Sequence, residues 1–261
     1  MATGLILHVV VMVDVEAIPP RPLQVSSVDL NHKGHTVDEV TFGYDLLYER
    51  NALWAQQRWM GVQSQQNPSD AWILQEILFD TQPDLLIETG TQNGGGALFY
   101  ASLMQMYNPD AKVLTIDVMN VNEYKPDYAI RGFCARMRCL NATSHHIWRK
   151  HVQFLQGTST SPSILQLVQT AAEAAKRVMV VLDSLHKYDH VMRELQVYSD
   201  FVSTGMYLIV QDTKLDRIRG RPLAKAAVHD FLARTPAKFR VDRSREYLLY
   251  SQHHDGYLLR R

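Results

Sequence analysis

Asp84-Leu85-Leu86-Ile87-Glu88-Thr89-Gly90-Thr91-Gln92-Asn93-Gly94-Gly95-Gly96 is the stretch that decides the fold. A short apolar run ends in an acid, a glycine-rich turn follows, and Ala97 to Met106 then reads as an amphipathic helix. Strand, tight turn and helix in that order make a unit whose turn brings backbone close to a ligand. The acid at the strand end narrows the ligand. A carboxylate there repels a pyrophosphate but suits a molecule with a cationic amine and hydroxyls.

Outward from this unit the pattern alternates. Lys112 to Asp117, Val152 to Gln156, Val178 to Asp183 and Met206 to Val210 read as further strands. Ser163 to Ala175, His190 to Val202 and Leu223 to Arg234 read as the helices between or after them, while Val118 to Lys150 is less regular. Phe239 to Val241 and Tyr247 to Tyr250 are expected as short strands, the second continuing after a turn at Asp255-Gly256. Upstream, Val37 to Gly61 is expected as a helix, and Asn67-Pro68-Ser69-Asp70 as the start of another that ends before Pro83. Alternating strands and helices imply an α/β fold with a mostly parallel sheet covered by helices on both faces. Residues 1–70 are expected as an N-terminal extension, a lid or an oligomerisation segment, and residues 71–261 as one domain.

The 261 residues carry 27 basic and 27 acidic side chains, so net charge is zero; that argues against a protein built to bind a phosphate backbone. Apolar residues make up 46%, enough for a full core. The apolar start, Gly4 to Val13, lacks a basic flank and is too short to span a bilayer, so it is expected to form β structure packed on the body or on a second copy. No membrane and no nucleic acid are expected as partners, and the expected location is cytoplasmic. Cys134 and Cys139 are expected to stay reduced.

In open parallel sheets, ligands bind beyond the carboxyl ends of the strands. Here those ends carry Glu88, Asp117, the turn Gln156-Gly157-Thr158, Asp183 and Gln211-Asp212. Their convergence points to S-adenosylmethionine, with Glu88 and Gly90, beside Thr91, Asn93 and Gly94, near its methionine part. Asp117 is placed for the ribose, and Gly157 with Thr158 for the adenine. Asp183 is expected where the methyl group meets its acceptor. Asp183, Gln211 and Asp212 together suit Mg²⁺, and His186 is a candidate general base. His186 and His190 are four apart, but the H-E-x-x-H pattern of a zinc helix is absent. Asp183, His186 and His190 would also satisfy a non-haem iron set on paper.

The glycine run, with Thr115-Ile116-Asp117, Leu182-Asp183-Ser184 and His186, His190-Val191 with Glu194-Leu195, Tyr207 to Val210 with Asp212-Thr213, and Gly256-Tyr257-Leu258 with Arg260, resembles the cephalosporin hydroxylase/rhamnosyl O-methyltransferase family across roughly Trp59 to Arg261. The resemblance implies a Rossmann-like class I methyltransferase fold with a seven-stranded sheet. It implies S-adenosylmethionine as methyl donor and the hydroxyl of a small molecule or sugar as acceptor, often with Mg²⁺; the apolar start and the aromatic-rich N-terminal helix, for their part, lead to the expectation of a homo-oligomer. By the same match, Glu88 and Gly90 fall at the donor, Asp117 at the ribose, Asp183 and Asp212 at the metal, and His186 at the family's histidine. The spacing from Asp183 to Gln211-Asp212 is also similar to the metal-ligand spacing of catechol O-methyltransferase. Two departures matter: Leu185 stands where the family commonly has an acid, and Gln211 where it commonly has Glu. Each removes a negative charge and weakens the expected Mg²⁺ site. The alternatives are a protein that binds the nucleoside without turnover and, from a different class, a hydroxylase.

Overall fold

The computed structural model describes residues 28–30, 33–123 and 133–261. The expectation for Gly4 to Val13 lies outside the described residues. A small hairpin, β1 (Val28–Leu30) with β2 (Lys33–His35), leads into α1 (Val37–Arg50). Thr36 caps α1 in a reciprocal box with Glu39, satisfying the first free N–H groups. The helix ends eleven residues short of the expected Gly61, because Ala52 turns left-handed at φ 46°. A 3₁₀ turn (Leu53–Gln56) and a tight hairpin, β3 (Arg58–Trp59) with β4 (Val62–Gln63), follow instead. The helix α2 (Pro68–Thr81) starts as its sequence predicts. Asn67 Oδ1 accepts the N–H groups of Ser69 and Asp70, and Pro68 occupies the first turn, where no N–H is needed.

The main sheet has seven strands in the order β10-β11-β9-β8-β5-β6-β7. Its parallel centre is β5 (Leu85–Thr89), β6 (Lys112–Asp117), β7 (Val152–Gln156), β8 (Val178–Leu182) and β9 (Tyr207–Val210). The last strand, β11 (Tyr257–Arg260), runs antiparallel between β9 and β10 (Phe239–Val241). The expected strand Tyr247–Tyr250 does not form. The slot beside β9 goes to β11, and the phenol groups of Tyr247 and Tyr250 bond outward to Glu76 and Asp45. The helices are α3 (Gly95–Tyr107), α4 (Phe133–Met137), α5 (His146–His151), α6 (Pro162–Glu173), α7 (Tyr188–Tyr198), α8 (Leu215–Arg219) and α9 (Ala224–Arg234).

Strand alternation sorts the core into two layers. Leu86, Val113, Met179, Val181 and Ile209 face α2, α3 and α5. Leu85, Ile87, Leu114, Val178, Val180 and Leu208 face α6, α7 and α9. Both faces are dry, which is why these strands are apolar throughout rather than alternating. Val62 and Trp59 belong to the first layer, so the segment before residue 70 shares a core with the domain. Trp72 instead lies 60% exposed on the outer side of α2. Cys134 and Cys139 are disulfide-bonded, correcting the expectation of reduced thiols: the chain turns after α4, with Cys139 N–H on the Cys134 carbonyl, and brings their Cα atoms to 4.7 Å.

Candidate active site

Chain order splits at β5 and β8. From β5 the chain proceeds through β6 to β7 on one side, while β8 and β9 lie on the other. That reversal leaves a crevice at the carboxyl edge, and a cleft of ≈ 860 Å³ occupies it. Its size is that of a small-molecule site.

The first turn forms the floor. Gly90 has φ 89°, and a Cβ there would sit 2.0 Å from the backbone oxygen of Asp183. The missing side chain therefore lets the turn close on the end of β8, with Asp183 N–H on Thr89 O (2.9 Å), while Gly90 N–H bonds Ile116 O of β6 on the other side (2.8 Å). Glu88 is buried and lines the cleft, its Oε2 accepting the Thr115 hydroxyl, which also bonds Thr91 Oγ1 at 2.7 Å. Asp117 ends β6 and braces the turn: Oδ2 accepts the N–H groups of Thr91 (3.1 Å) and Gln92 (2.9 Å). Asn93 also lines the cleft and its amide donates to Gln63 Oε1. Gly157 and Thr158 line it from the end of β7. Gly94 does not: it starts α3 against Ala142 and Trp148, behind the cleft wall. Its place in the expected donor site is thus limited to shaping the turn.

Asp183, His186 and Asp212 gather at the other end, each offering an atom within 4.8 Å of the others. His186 Nε2 lies 3.3 Å from Asp212 Oδ2 and 3.9 Å from Asp183 Oδ1. Burial pushes the Asp183 carboxyl well above the usual carboxylate range, and the negative charges of Asp212, Glu88 and Glu194 add to it. Burial acts on Asp212 in the same direction, but Lys214, His186 and His253 outweigh it and hold that carboxyl below its ordinary value. Asp212 sits in a left-handed conformation at φ 56°, fixed by its N–H on His253 Nδ1 (3.1 Å). Burial lowers the pKa of His253, which keeps that nitrogen an acceptor.

Gln211 is not part of this group, contrary to the expectation of a third oxygen ligand. It is the last residue before the left-handed turn and its amide points under the sheet edge. There Oε1 accepts from Gln66 (3.3 Å) and Nε2 donates to Tyr100 (3.0 Å). His190 is also apart: α7 begins only at Tyr188, so His186 and His190 share no helix face. His190 Nε2 instead meets Ser184 Oγ at 3.0 Å, and Ser184 donates to buried Glu194 at 2.8 Å.

Apart from Trp54, weighed in the sequence with Trp59 and Trp72 as a cover for the cleft, the structure adds residues that sequence reasoning did not single out. Lys214 is buried on the cleft wall, 2.7 Å from Glu49 of α1 and 3.8 Å from Asp212. Trp54, Gln63, Gln65 and Gln66 line the cleft from the segment before α2. Trp59, by contrast, packs edge-on against Phe99. No periodicity marks Lys214; the only sequence signal is that it lies two residues beyond Asp212.

Residues 51–261 match the family model described as rhamnosyl O-methyltransferase/CmcI. A rhamnosyl O-methyltransferase of Mycobacterium tuberculosis is 32% identical over 187 residues, covering 71% of this chain and 67% of that protein. One from Mycobacterium leprae is 29% identical over 180 residues, covering 69% and 70%. Among solved structures, CmcI with Mg and SAM superposes with a TM-score of 0.55 at 16% identity, covering 79% of this chain and 77% of that one. The apo form of CmcI gives 0.56, covering 79% and 76%. At such identity the structural likeness speaks for the fold. No helix among the described residues is long and apolar enough to cross a membrane.

Proposed function

The chain belongs to the rhamnosyl O-methyltransferase/CmcI family, and from that premise we propose that it transfers a methyl group from S-adenosylmethionine to a hydroxyl of a sugar or sugar-bearing small molecule. One observation carries this reading: a single cleft joins the glycine turn at Gly90 to the Asp183–His186–Asp212 cluster.

The residues present fit both groups. The turn is too close to β8 to admit a side chain, and acids stand where an amine and hydroxyls need acceptors. Glu88 and Gly90 would hold the methionine end, Asp117 the ribose, and Gly157 with Thr158 the adenine. Asp183 and Asp212 would hold a divalent cation. Bound S-adenosylmethionine supplies a methyl already activated on a sulfonium, and a bound cation lowers the pKa of a hydroxyl beside it.

The chain's own work is chiefly positioning. Asp117 fixes the turn through two N–H groups, so the donor pocket is formed in advance. His186 takes up the proton that leaves the acceptor hydroxyl, with Asp212 Oδ2 3.3 Å from its Nε2 to balance the charge. Lys214, tied to Glu49, joins α1 to this wall. Ser184 and His190, backed by Glu194, present polar groups for acceptor hydroxyls.

The test is transfer of labelled methyl from S-adenosylmethionine onto a panel of rhamnosides, other glycosides and phenols, with product position read by mass spectrometry. Methylation of glycoside hydroxyls is the expected result. Failure to bind S-adenosylhomocysteine in a calorimetric titration sinks the donor assignment; binding without transfer to any acceptor favours a nucleoside-binding protein.

A further inference from the structure

Resting on the methyl-transfer reading above, we propose that the acceptor carries an oxyanion, a carboxylate or a phosphate, and that Arg219 on the cleft wall receives it.

Uncompensated charge carries the proposal. Among the described residues, two basic side chains besides the histidines line the cleft, Lys214 and Arg219. Lys214 is engaged, its Nζ 2.7 Å from Glu49 and 3.8 Å from Asp212. Arg219 is exposed and meets no acid among the described residues. The acids nearest in the structure's own wiring are committed elsewhere. Asp216, on the same helix α8, accepts the N–H groups of Leu223 (2.8 Å), Lys225 (2.9 Å) and Ala226 (2.9 Å), which satisfies the free donors at the start of α9. Asp38 of α1 takes Arg217 in a two-pronged pair, Nη1 to Oδ1 at 2.8 Å and Nη2 to Oδ2 at 2.7 Å. The Arg217 guanidinium also lies over the Phe42 ring, 4.2 Å from its centroid. These contacts dock α8 on α1, with Arg217 turned to α1 and Arg219 left on the cleft. Arg221, just past the helix, is exposed as well, so this segment is positive in a chain whose net charge is zero.

Position separates this cation from the donor. The methionine end is assigned to Glu88 and Gly90, at the end of β5. Helix α8 follows β9, and β8 stands between β9 and β5. Neighbouring strands lie about 4.8 Å apart, which puts those two strands about 10 Å from each other. Arg219 also lies beyond Lys214 along α8, about 7–8 Å on at helical rise. That is the span of one sugar ring, so a hydroxyl at His186 and an anion at Arg219 belong to two ends of one glycoside. The arginine fork matches carboxylate and phosphate alike in two parallel bonds. Helix α1, which fixes α8, precedes residues 51–261 that match the family model, so this wall is built with a segment outside that match.

The experiment titrates the full chain calorimetrically with three probes of one sugar: phenyl rhamnoside, which is neutral, para-carboxyphenyl rhamnoside, and the anomeric phosphate of rhamnose. Mg²⁺ is present throughout, and each titration is made with and without S-adenosylhomocysteine. At least one anionic probe is expected to bind about tenfold more tightly than the neutral one, with the gap narrowing as salt rises. The two anionic arms decide between carboxylate and phosphate. Arg219→Gln should erase the preference and Arg219→Lys should keep part of it, with thermal melting as the check on folding. Equal affinity for neutral and anionic probes in the parent, or no binding of either anionic probe, overturns the proposal. So does a preference that survives Arg219→Gln. Loss of S-adenosylhomocysteine affinity in that variant also overturns it, by giving Arg219 to the donor's carboxylate. Failure of the parent to bind S-adenosylhomocysteine counts against the methyltransferase reading, while the probe titrations made without it still decide the anion.

Discussion

Replacing Gly90 by Ala tests whether the contact between the first turn and the end of β8 builds the donor pocket. The added Cβ would lie 2.0 Å from the Asp183 oxygen and 2.6 Å from its carbonyl carbon. Both are backbone atoms, so no side chain can swing aside. The left-handed φ of 89° adds about 1–2 kcal/mol for a residue with a Cβ, and overpacking adds about 1–3 kcal/mol. The sum, about 2–5 kcal/mol, corresponds to a fall in melting temperature of roughly 4–20 °C in a chain of this size. Relief requires the turn to withdraw from β8, which strains the Asp183 N–H bond to Thr89 and displaces Asp183 from the cleft floor. Affinity for S-adenosylhomocysteine should therefore drop at least tenfold, about 1.4 kcal/mol. Gly205→Ala is the control. Gly205 has φ 79° with nothing within 4 Å of the added carbon, so it carries only the backbone term of about 1–2 kcal/mol. Thermal unfolding and calorimetric titration of both variants decide the matter. Equal stability losses in the two, with unchanged affinity in Gly90→Ala, would refute the reasoning.

Three further outcomes are expected. The folded Asp183 carboxyl has a raised pKa, so its contribution to stability is present below the ordinary 3.8 and is lost as pH rises through the folded value. Asp183→Asn should therefore melt higher than the parent at neutral pH, converge with it below about pH 4, and lose methyl transfer on the order of 100-fold; a variant that melts lower at every pH contradicts the assignment. Lys214→Met removes the partner of Glu49, and because Glu49 is only partly buried the loss should be about 1–3 kcal/mol by urea denaturation, with most of it recovered when Glu49→Gln is added. Asp117→Ala strips the acceptor from two N–H groups of the glycine turn and should weaken S-adenosylhomocysteine by about tenfold or more. Unchanged affinity would mean that the turn holds its shape without that carboxylate.

Much of the framework was legible in the chain because strand-forming and acid-tipped segments are local patterns. Lys112 to Asp117 and Val152 to Gln156 form strands with the expected bounds, and Asn67-Pro68 starts a helix as its capping chemistry requires. Where expectation failed, a non-local choice decided. Tyr247 to Tyr250 has strand-like composition, yet the place beside β9 was filled by Tyr257–Arg260 and the tyrosines found carboxylates elsewhere. Val37 to Gly61 has helical spacing throughout, but a left-handed Ala52 divides it and sends Val62 into the core.

The same division runs through the site. Sequence alone determined that Glu88, Asp117, Asp183 and Asp212 stand at or just beyond the ends of strands, because where an apolar run stops is a local pattern of the chain. Only tertiary structure decided which of them share a cleft, that His186 enters the space between two carboxylates, and that Gln211 turns away to Tyr100. It also decided that Lys214 and Glu49, distant in sequence, meet on the cleft wall. Side-chain direction at a strand end depends on the backbone of the turn that follows and on what lies across the crevice. The left-handed Asp212, locked by His253 from the far end of the chain, has no counterpart in any local pattern.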